Sequence, residues 1–338
     1  MLGGGNALGS YQAGVYQALQ ERGMDPEWVV GTSAGAINGA LIVGNRAANR
    51  QDRLAEFWRP DSGQGDSSWW SPFETLRRSA AAIGAMTLGR PGVFGPIGPL
   101  GSWWDLDPVA AAPSLFDSKP LALSLQRLVD FELLNAGTAR YTAGAVDLQT
   151  GEDVFFDSAD LKITTDHIRA SAALLPTFPP IRIGDRVFVD GGLSNNLPLD
   201  PVLGDRPSDS VLCIAVDLLP LAAAAPNTLG EAMSRAQDLM FAAQSRRTIE
   251  RWHNAYLHDP AFAAASVTLV RLSYANQDKE VAGKAMDFSS TSVRYRWSAG
   301  YADAGAMLDR IERGQIPTER QGLTIIDIQP RRAQKTSL

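Results

Sequence analysis

Five residues carry the first chemical signal. Gly31-Thr32-Ser33-Ala34-Gly35 fits the pattern G-x-S-x-G, with the apolar Trp28-Val29-Val30 before it and the small apolar run Ala34–Val43 after it. A strand, a sharp turn and a helix in that order form the setting in which this pattern presents a nucleophile. Small residues two positions either side of Ser33 permit a strained turn, which pushes the hydroxyl outward at the positive end of the following helix dipole. The Ala34 N–H then faces the oxygen that turns negative when an ester carbonyl is attacked. Such a turn can also contain a serine by chance, so it does not establish catalysis alone.

A nucleophilic serine needs a base. The chain has three histidines, His167, His253 and His258, each in or beside an expected helix and none at a strand end. They read as ordinary surface or capping residues. Asp190-Gly191-Gly192 offers a carboxylate instead. It follows Val187-Phe188-Val189, an expected strand, which puts it at a strand's carboxyl end, where open α/β sheets form their sites. The two glycines let the backbone pass close to another loop, although Asp-Gly is also a common hairpin turn. Gly3-Gly4-Gly5, with Gly9 after it, can form a nest of N–H donors for an oxyanion. A nucleotide-phosphate loop is not indicated: there is no G-x-x-x-x-G-K-[ST], and the spacing departs from G-x-G-x-x-G.

These residues need a scaffold. The glycine loop precedes an expected helix over 10–22, with Gly23 as its stop. A strand and a buried helix around Ser33 follow, the alternation of an α/β fold with a parallel sheet. Residues 140–147 and 153–156 read as a strand pair, and 211–217 and 267–272 as buried strands. Long helices are expected near 231–257, with Leu239, Met240, Ile249 and Trp252 facing the core, and near 291–311. The stretch from about 60 to 115 is rich in Gly, Pro and Ser and carries Trp69, Trp70, Trp103 and Trp104. It reads as an insertion outside the sheet. Its tryptophans fit either a cap or lipid-touching patch over an acyl pocket, or simple core packing. The expected division is a catalytic core over 1–218 containing this insertion, and a helical extension over 219–338 packed on the same domain.

Composition excludes other classes. The 338 residues carry a net charge of −6 with no Lys/Arg run, which argues against nucleic acid as a partner. A lone Cys213 in an apolar run is core filler. No basic stretch leading into an apolar one and no long apolar span is present, so a cytoplasmic location, possible peripheral membrane contact aside, is the expectation.

Taken together, Gly3-Gly4-Gly5 with Gly9, Tyr11-Gln12-Ala13-Gly14-Val15, the elbow Gly31–Gly35, Ala170-Ser171-Ala172 through Pro176 to Phe178-Pro179-Pro180, Asp190-Gly191-Gly192 and Asn195-Asn196-Leu197-Pro198 resemble the patatin-like phospholipases. The resemblance implies an α/β three-layer sandwich with a mostly parallel central sheet. It implies a Ser–Asp dyad without histidine: Ser33 as nucleophile, Asp190 as general base, and the backbone N–H groups of Gly4, Gly5, Asn6 and Ala34 as the oxyanion hole. Gly3, Gly31, Gly35, Gly191 and Gly192 support these turns. The substrate would be a lipid or other acyl ester, cleaved through an acyl-serine, with no cofactor and no metal, since no calcium loop of the D-x-[DN]-x-[DN]-G kind occurs. An acyltransferase using the same intermediate, or a non-catalytic binding protein of this fold, are the alternatives. Two departures stand out. Members of the family often carry Gly and Arg where this chain has Asn6 and Leu8. An apolar strand usually precedes the glycine loop, where this chain has only Met1-Leu2, and the expectation is a loosened loop. Asp287-Phe288-Ser289, Arg294–Trp297 and Ala299-Gly300-Tyr301 are similar to a C-terminal extension of one bacterial branch, expected here as a helix packed on the sheet.

Overall fold

The computed structural model describes residues 1–58, 74–97, 113–205, 210–262, 264–318 and 320–328. Ten helices and ten strands are described. The helices are α1 (Ser10–Glu21), α2 (Ala34–Val43), α3 (Ala47–Trp58), α4 (Glu74–Leu88), α5 (Lys119–Leu128), α6 (Phe131–Asn135), α7 (Thr165–Ser171), α8 (Asp200–Leu203), α9 (Leu229–His258) and α10 (Ser290–Glu312). The strands are β1 (Trp28–Thr32), β2 (Gly95–Pro96), β3 (Phe116–Asp117), β4 (Arg140–Asp147), β5 (Asp153–Asp157), β6 (Ile181–Ile183), β7 (Arg186–Asp190), β8 (Val211–Asp217), β9 (Ser266–Ser273) and β10 (Gly322–Ile328).

The central sheet is mixed. β10, β9 and β8 pair in parallel, as do β1 and β4, whereas β5 and β7 pair antiparallel with β4, and β6 with β7. Leu2 joins the two parts, bridging in parallel to Gly31 of β1 and Val216 of β8. Its N–H donates to the Val30 carbonyl and its own carbonyl accepts from Thr32, while Val216 N–H bonds the Met1 carbonyl and Gly3 N–H the Val216 carbonyl. Three residues thus do the work of a strand, and the loop that follows is tied on both sides rather than loosened.

Both faces of the sheet are covered, which the alternation of apolar side chains explains. Cys213, Ala215, Val267 and Leu269 pack in one cluster with Ile249 and Tyr256 of α9. The intervening Val216, Val270 and Leu272 join a second cluster with α1, α2 and α10. The region expected as a helical extension with a strand at 267–272 supplies that strand, β9, and also β10 to the sheet. On α9 the buried face is Asp238, Phe241, Ala242, Ser245, Ile249 and Tyr256, while Leu239 and Met240 are 43% and 62% exposed, contrary to expectation. The face is polar enough that apolar residues alone misplace it.

Helix α10 packs on α1. A Cβ at Gly14 would stand 1.9 Å from the Trp297 carbonyl oxygen, and one at Gly300 would stand 2.0 Å from that of Tyr11. Reciprocal glycines let the two backbones touch, which fixes the helix behind the glycine loop. Trp69, Trp70, Trp103 and Trp104 lie outside the described residues.

Candidate active site

Ser33 stands between β1 and α2 with φ 57° and ψ −122°, a left-handed conformation that a non-glycine residue adopts only when its surroundings enforce it. The enforcement is steric. A Cβ on Gly31 would lie 2.4 Å from the Gly35 carbonyl, and one on Gly35 would lie 2.1 Å from the Leu2 carbonyl oxygen. Only glycine fits at both positions, which is the physical content of the G-x-S-x-G spacing. The Ser33 N–H donates to both the carbonyl and the hydroxyl of Ser171 at 3.1 and 3.0 Å, so the end of α7 anchors the turn.

Strand topology brings Asp190 to this point. Gly144 of β4 faces Thr32 on one edge and Phe155 on the other; its neighbour Ala145 faces Asp190 and Val154. β1 and β7 therefore share one edge of β4. They run in opposite directions, and their carboxyl ends meet head-on. Asp190 reaches the serine through this antiparallel encounter, not through the parallel-sheet rule used to expect it. Gly191 makes the encounter possible, since a Cβ there would lie 2.5 Å from the Gly144 carbonyl oxygen.

The Asp190 side chain is 2% exposed. Burial pushes its carboxyl up to about 7, against the opposing pull of the Ser33 hydroxyl, within hydrogen-bonding reach, and of the Gly192 N–H, which donates to Oδ1 at 2.7 Å. Desolvation dominates because nothing cationic neutralises the carboxylate.

The glycine loop lies alongside. Gly4 N–H donates to the Asn196 carbonyl at 3.0 Å, so Gly4 is removed from the expected oxyanion donors, and Gly3 N–H is taken by Val216. Gly5 and Asn6 remain, and both line the cavity described below. Asn6 has φ 50°; among the described residues it and Ser33 are the non-glycines with positive φ, and both stand at this site. Ala34 N–H opens α2, where helix geometry leaves it without an intrahelical acceptor. A buried chain of side chains holds the loop: Trp58 Nε1 donates to Asn38 Oδ1 at 2.7 Å, Asn38 Nδ2 to Gln12 Oε1 at 2.8 Å, and Gln12 Nε2 to the Gly3 carbonyl at 2.7 Å. Sequence reasoning missed Asn38, Trp58 and the anchoring role of Ser171. The signal available was an amide inside the apolar run Ala34–Val43, where a buried polar group must have partners.

Ser33, Asp190, Gly5, Asn6 and Ala34 open onto a cavity of about 820 Å³. Its walls are largely apolar and include Phe57, Trp58, Phe116, Leu121, Phe178 and Phe288. The insertion contributes Met86 from the end of α4, and Val93, Pro96, Ile97 and Leu115 around the β2–β3 pair, with Phe116 and Ser118 just after the insertion. None of the histidines lines it. His167 caps α7, its Nδ1 accepting the Thr164 N–H at 2.9 Å. Among the described residues no group of His, Cys, Asp or Glu is arranged to hold a metal ion, and no helix is long and apolar enough to cross a membrane.

The chain is 28% identical over 239 residues to an uncharacterized NTE family protein of Mycobacterium tuberculosis, covering 69% of this chain and 54% of that one. It therefore spans about half the length of that relative. A 58-residue stretch is 43% identical to the human patatin-like phospholipase domain-containing protein 6, covering 17% of this chain and 4% of that protein. VipD from Legionella pneumophila aligns in structure over 91% of this chain and 66% of its own, with 15% identity and a TM-score of 0.44. A family model described as patatin phospholipase matches residues 237–319, the region of α9, β9 and α10. The model of the patatin-like phospholipases matches residues 1–203, more than half the chain and every element around Ser33, and the chain belongs to that family.

Proposed function

We propose that the chain is a serine hydrolase that cleaves carboxylic esters of lipids, with Ser33 and Asp190 as its dyad. One observation carries the reading: a serine in a strained turn beside a buried carboxyl raised to about 7, at the wall of an apolar cavity. Near neutral pH a fraction of Asp190 is ionised and basic enough to accept a proton as the serine attacks. Ser33 Oγ forms a bond to the ester carbonyl carbon, and its proton passes to an Asp190 carboxylate oxygen. The carbonyl oxygen becomes an anion facing the N–H groups of Gly5, Asn6 and Ala34, at the head of α2. Collapse breaks the bond to the alcohol oxygen, which takes the proton from Asp190. Water then adds to the acyl-serine, giving its proton to Asp190, and the free acid leaves as that proton returns to Ser33. The cavity receives the acyl chain, because burying methylene groups there is favourable by about 0.8 kcal/mol each.

The test is hydrolysis of p-nitrophenyl esters of graded chain length by the wild type, Ser33→Ala and Asp190→Asn, with covalent labelling by a fluorophosphonate. Wild-type turnover lost in both variants, and labelling lost in Ser33→Ala, is the expected result. Turnover that survives Ser33→Ala refutes the mechanism. Transfer of the acyl group to an added alcohol in preference to water would make the protein an acyltransferase.

A further inference from the structure

We infer that Arg296, in the C-terminal segment, is a positioning residue for the glycine loop whose N–H groups receive the developing negative charge; this rests on the acyl-transfer reading above. Arg296 is fully buried and among the largest side chains so placed. Its guanidinium makes a two-pronged ion pair with Glu280, Nε to Oε1 at 2.8 Å and Nη2 to Oε2 at 2.7 Å. Nη2 also donates to the Lys284 carbonyl, and Nη1 to the Asp287 carbonyl. The remaining bond crosses the molecule: Nη1 donates to the Ala7 carbonyl at 3.1 Å, inside the short 3-10 turn Asn6–Gly9.

That turn begins with Asn6 in a left-handed conformation, which persists only if neighbouring groups hold it. Two of its side-chain contacts come from the same distant segment. One is Arg296 on Ala7. The other is Met286, whose sulfur receives Asn6 Nδ2 at 3.2 Å and which lines the cavity. The segment is in turn held rigid from three sides. Tyr274 OH donates to Glu280 Oε1 at 2.6 Å. Arg78 of α4 bonds Glu280 Oε2 at 2.6 Å and Asp287 Oδ2 at 3.0 Å. Lys284 of the 284–286 turn bonds Asp238 of α9 at 2.6 Å. An ion network this deeply buried gains little stability over apolar packing, but it fixes one geometry, because a guanidinium fork and a carboxylate accept few orientations. The loop is the part of the site that geometry matters to most: its donors must stand where the oxyanion forms, not where the ground-state carbonyl lies.

The test compares Arg296→Lys with the wild type by two readouts. The first is hydrogen exchange of the Leu8 amide, which is buried and bonded to the Gly5 carbonyl at 3.1 Å. It needs no catalysis. The second is steady-state hydrolysis of an acyl ester. Lysine keeps the charge but cannot hold Glu280 and Ala7 together. The expected result is exchange at Leu8 faster by tenfold or more, kcat lower by tenfold or more, and KM within twofold. Arg22→Ala, which removes the exposed α1–α10 ion pairs to Asp309 and Glu312, serves as control and leaves both readouts at wild type. Leu8 exchange unchanged in Arg296→Lys overturns the proposal, as does faster exchange with an unchanged kcat. If Arg296→Lys does not fold, Tyr274→Phe, which removes one restraint on Glu280, is read the same way with smaller shifts in the same directions. A failure of the hydrolase reading shows separately, as wild-type turnover that Ser33→Ala does not abolish.

Discussion

Replacing Asp190 by asparagine is expected to abolish hydrolysis and to stabilise the protein above neutral pH. The carboxyl ionises near its ordinary value of 3.8 in the unfolded chain but only at about 7 in the folded one. Its contribution to folding is therefore fully present below pH 3.8 and is lost as pH rises through 7. The difference of about 3 units corresponds to roughly 4 kcal/mol, since each unit is about 1.36 kcal/mol. Complete burial leaves no solvent screening to discount. Asparagine keeps the shape and an oxygen for the Gly192 N–H, and has no ionisation to suppress. The quantity to measure is the stability difference between Asp190→Asn and wild type by urea unfolding at a series of pH values, which cancels every group common to both. It should grow by about 2.6 kcal/mol in favour of the variant between pH 5 and pH 8. In parallel, wild-type kcat/KM should climb with pH, with a midpoint near 7, and level off above it. A difference flat with pH would show that the carboxyl is not held near 7 and would remove the physical basis for calling it a base.

Three further outcomes are expected. Alanine at Gly14 or Gly300, where a Cβ would meet a carbonyl oxygen at 1.9 or 2.0 Å, should each cost about 3 kcal/mol, read as a lower urea midpoint at constant slope. Leu121→Trp, which fills the cavity beside Ser33 from α5, should lower kcat/KM for a dodecanoyl ester about tenfold or more while sparing a butanoyl ester; equal losses on both would place the acyl chain elsewhere. His167→Ala should cost about 1 kcal/mol through the lost cap of α7 and leave kcat within twofold, and a large loss of kcat would return histidine to the mechanism.

What the sequence made legible was local. Gly31, Ser33 and Gly35 lie within five residues, so the steric need for small residues around a strained turn is written in the spacing itself. The strands at 140–147 and 211–217 follow from apolar runs bounded by turns. The antiparallel course of β7 was not legible, because strand direction depends on pairing partners that no local pattern names. Nor was the loss of Gly4 as a donor, which depends on a carbonyl 192 positions away, at Asn196. The link from Arg296 to Ala7 spans 289 residues. A buried arginine in an otherwise amphipathic helix gives no hint of its acceptor. Strand β10 was missed as well: its side chains are mostly half-buried, at the outer edge of the sheet, where the apolar signal is diluted.

The three-residue bridge at Met1–Gly3 has a consequence for the order of events during synthesis. Its partners lie on one side in β1, close by in the chain, and on the other in β8, some two hundred residues later. Arg296 comes later still. Chains emerge amino end first, and pairings between distant segments form slowly. The glycine loop must therefore wait, unpaired on one side, until β8 has been made. The Ser33 turn waits less long, since Ser171, the acceptor of its N–H, precedes β8 in the chain. Arg296 of α10, made after β8, then ties the Ala7 carbonyl from the far side.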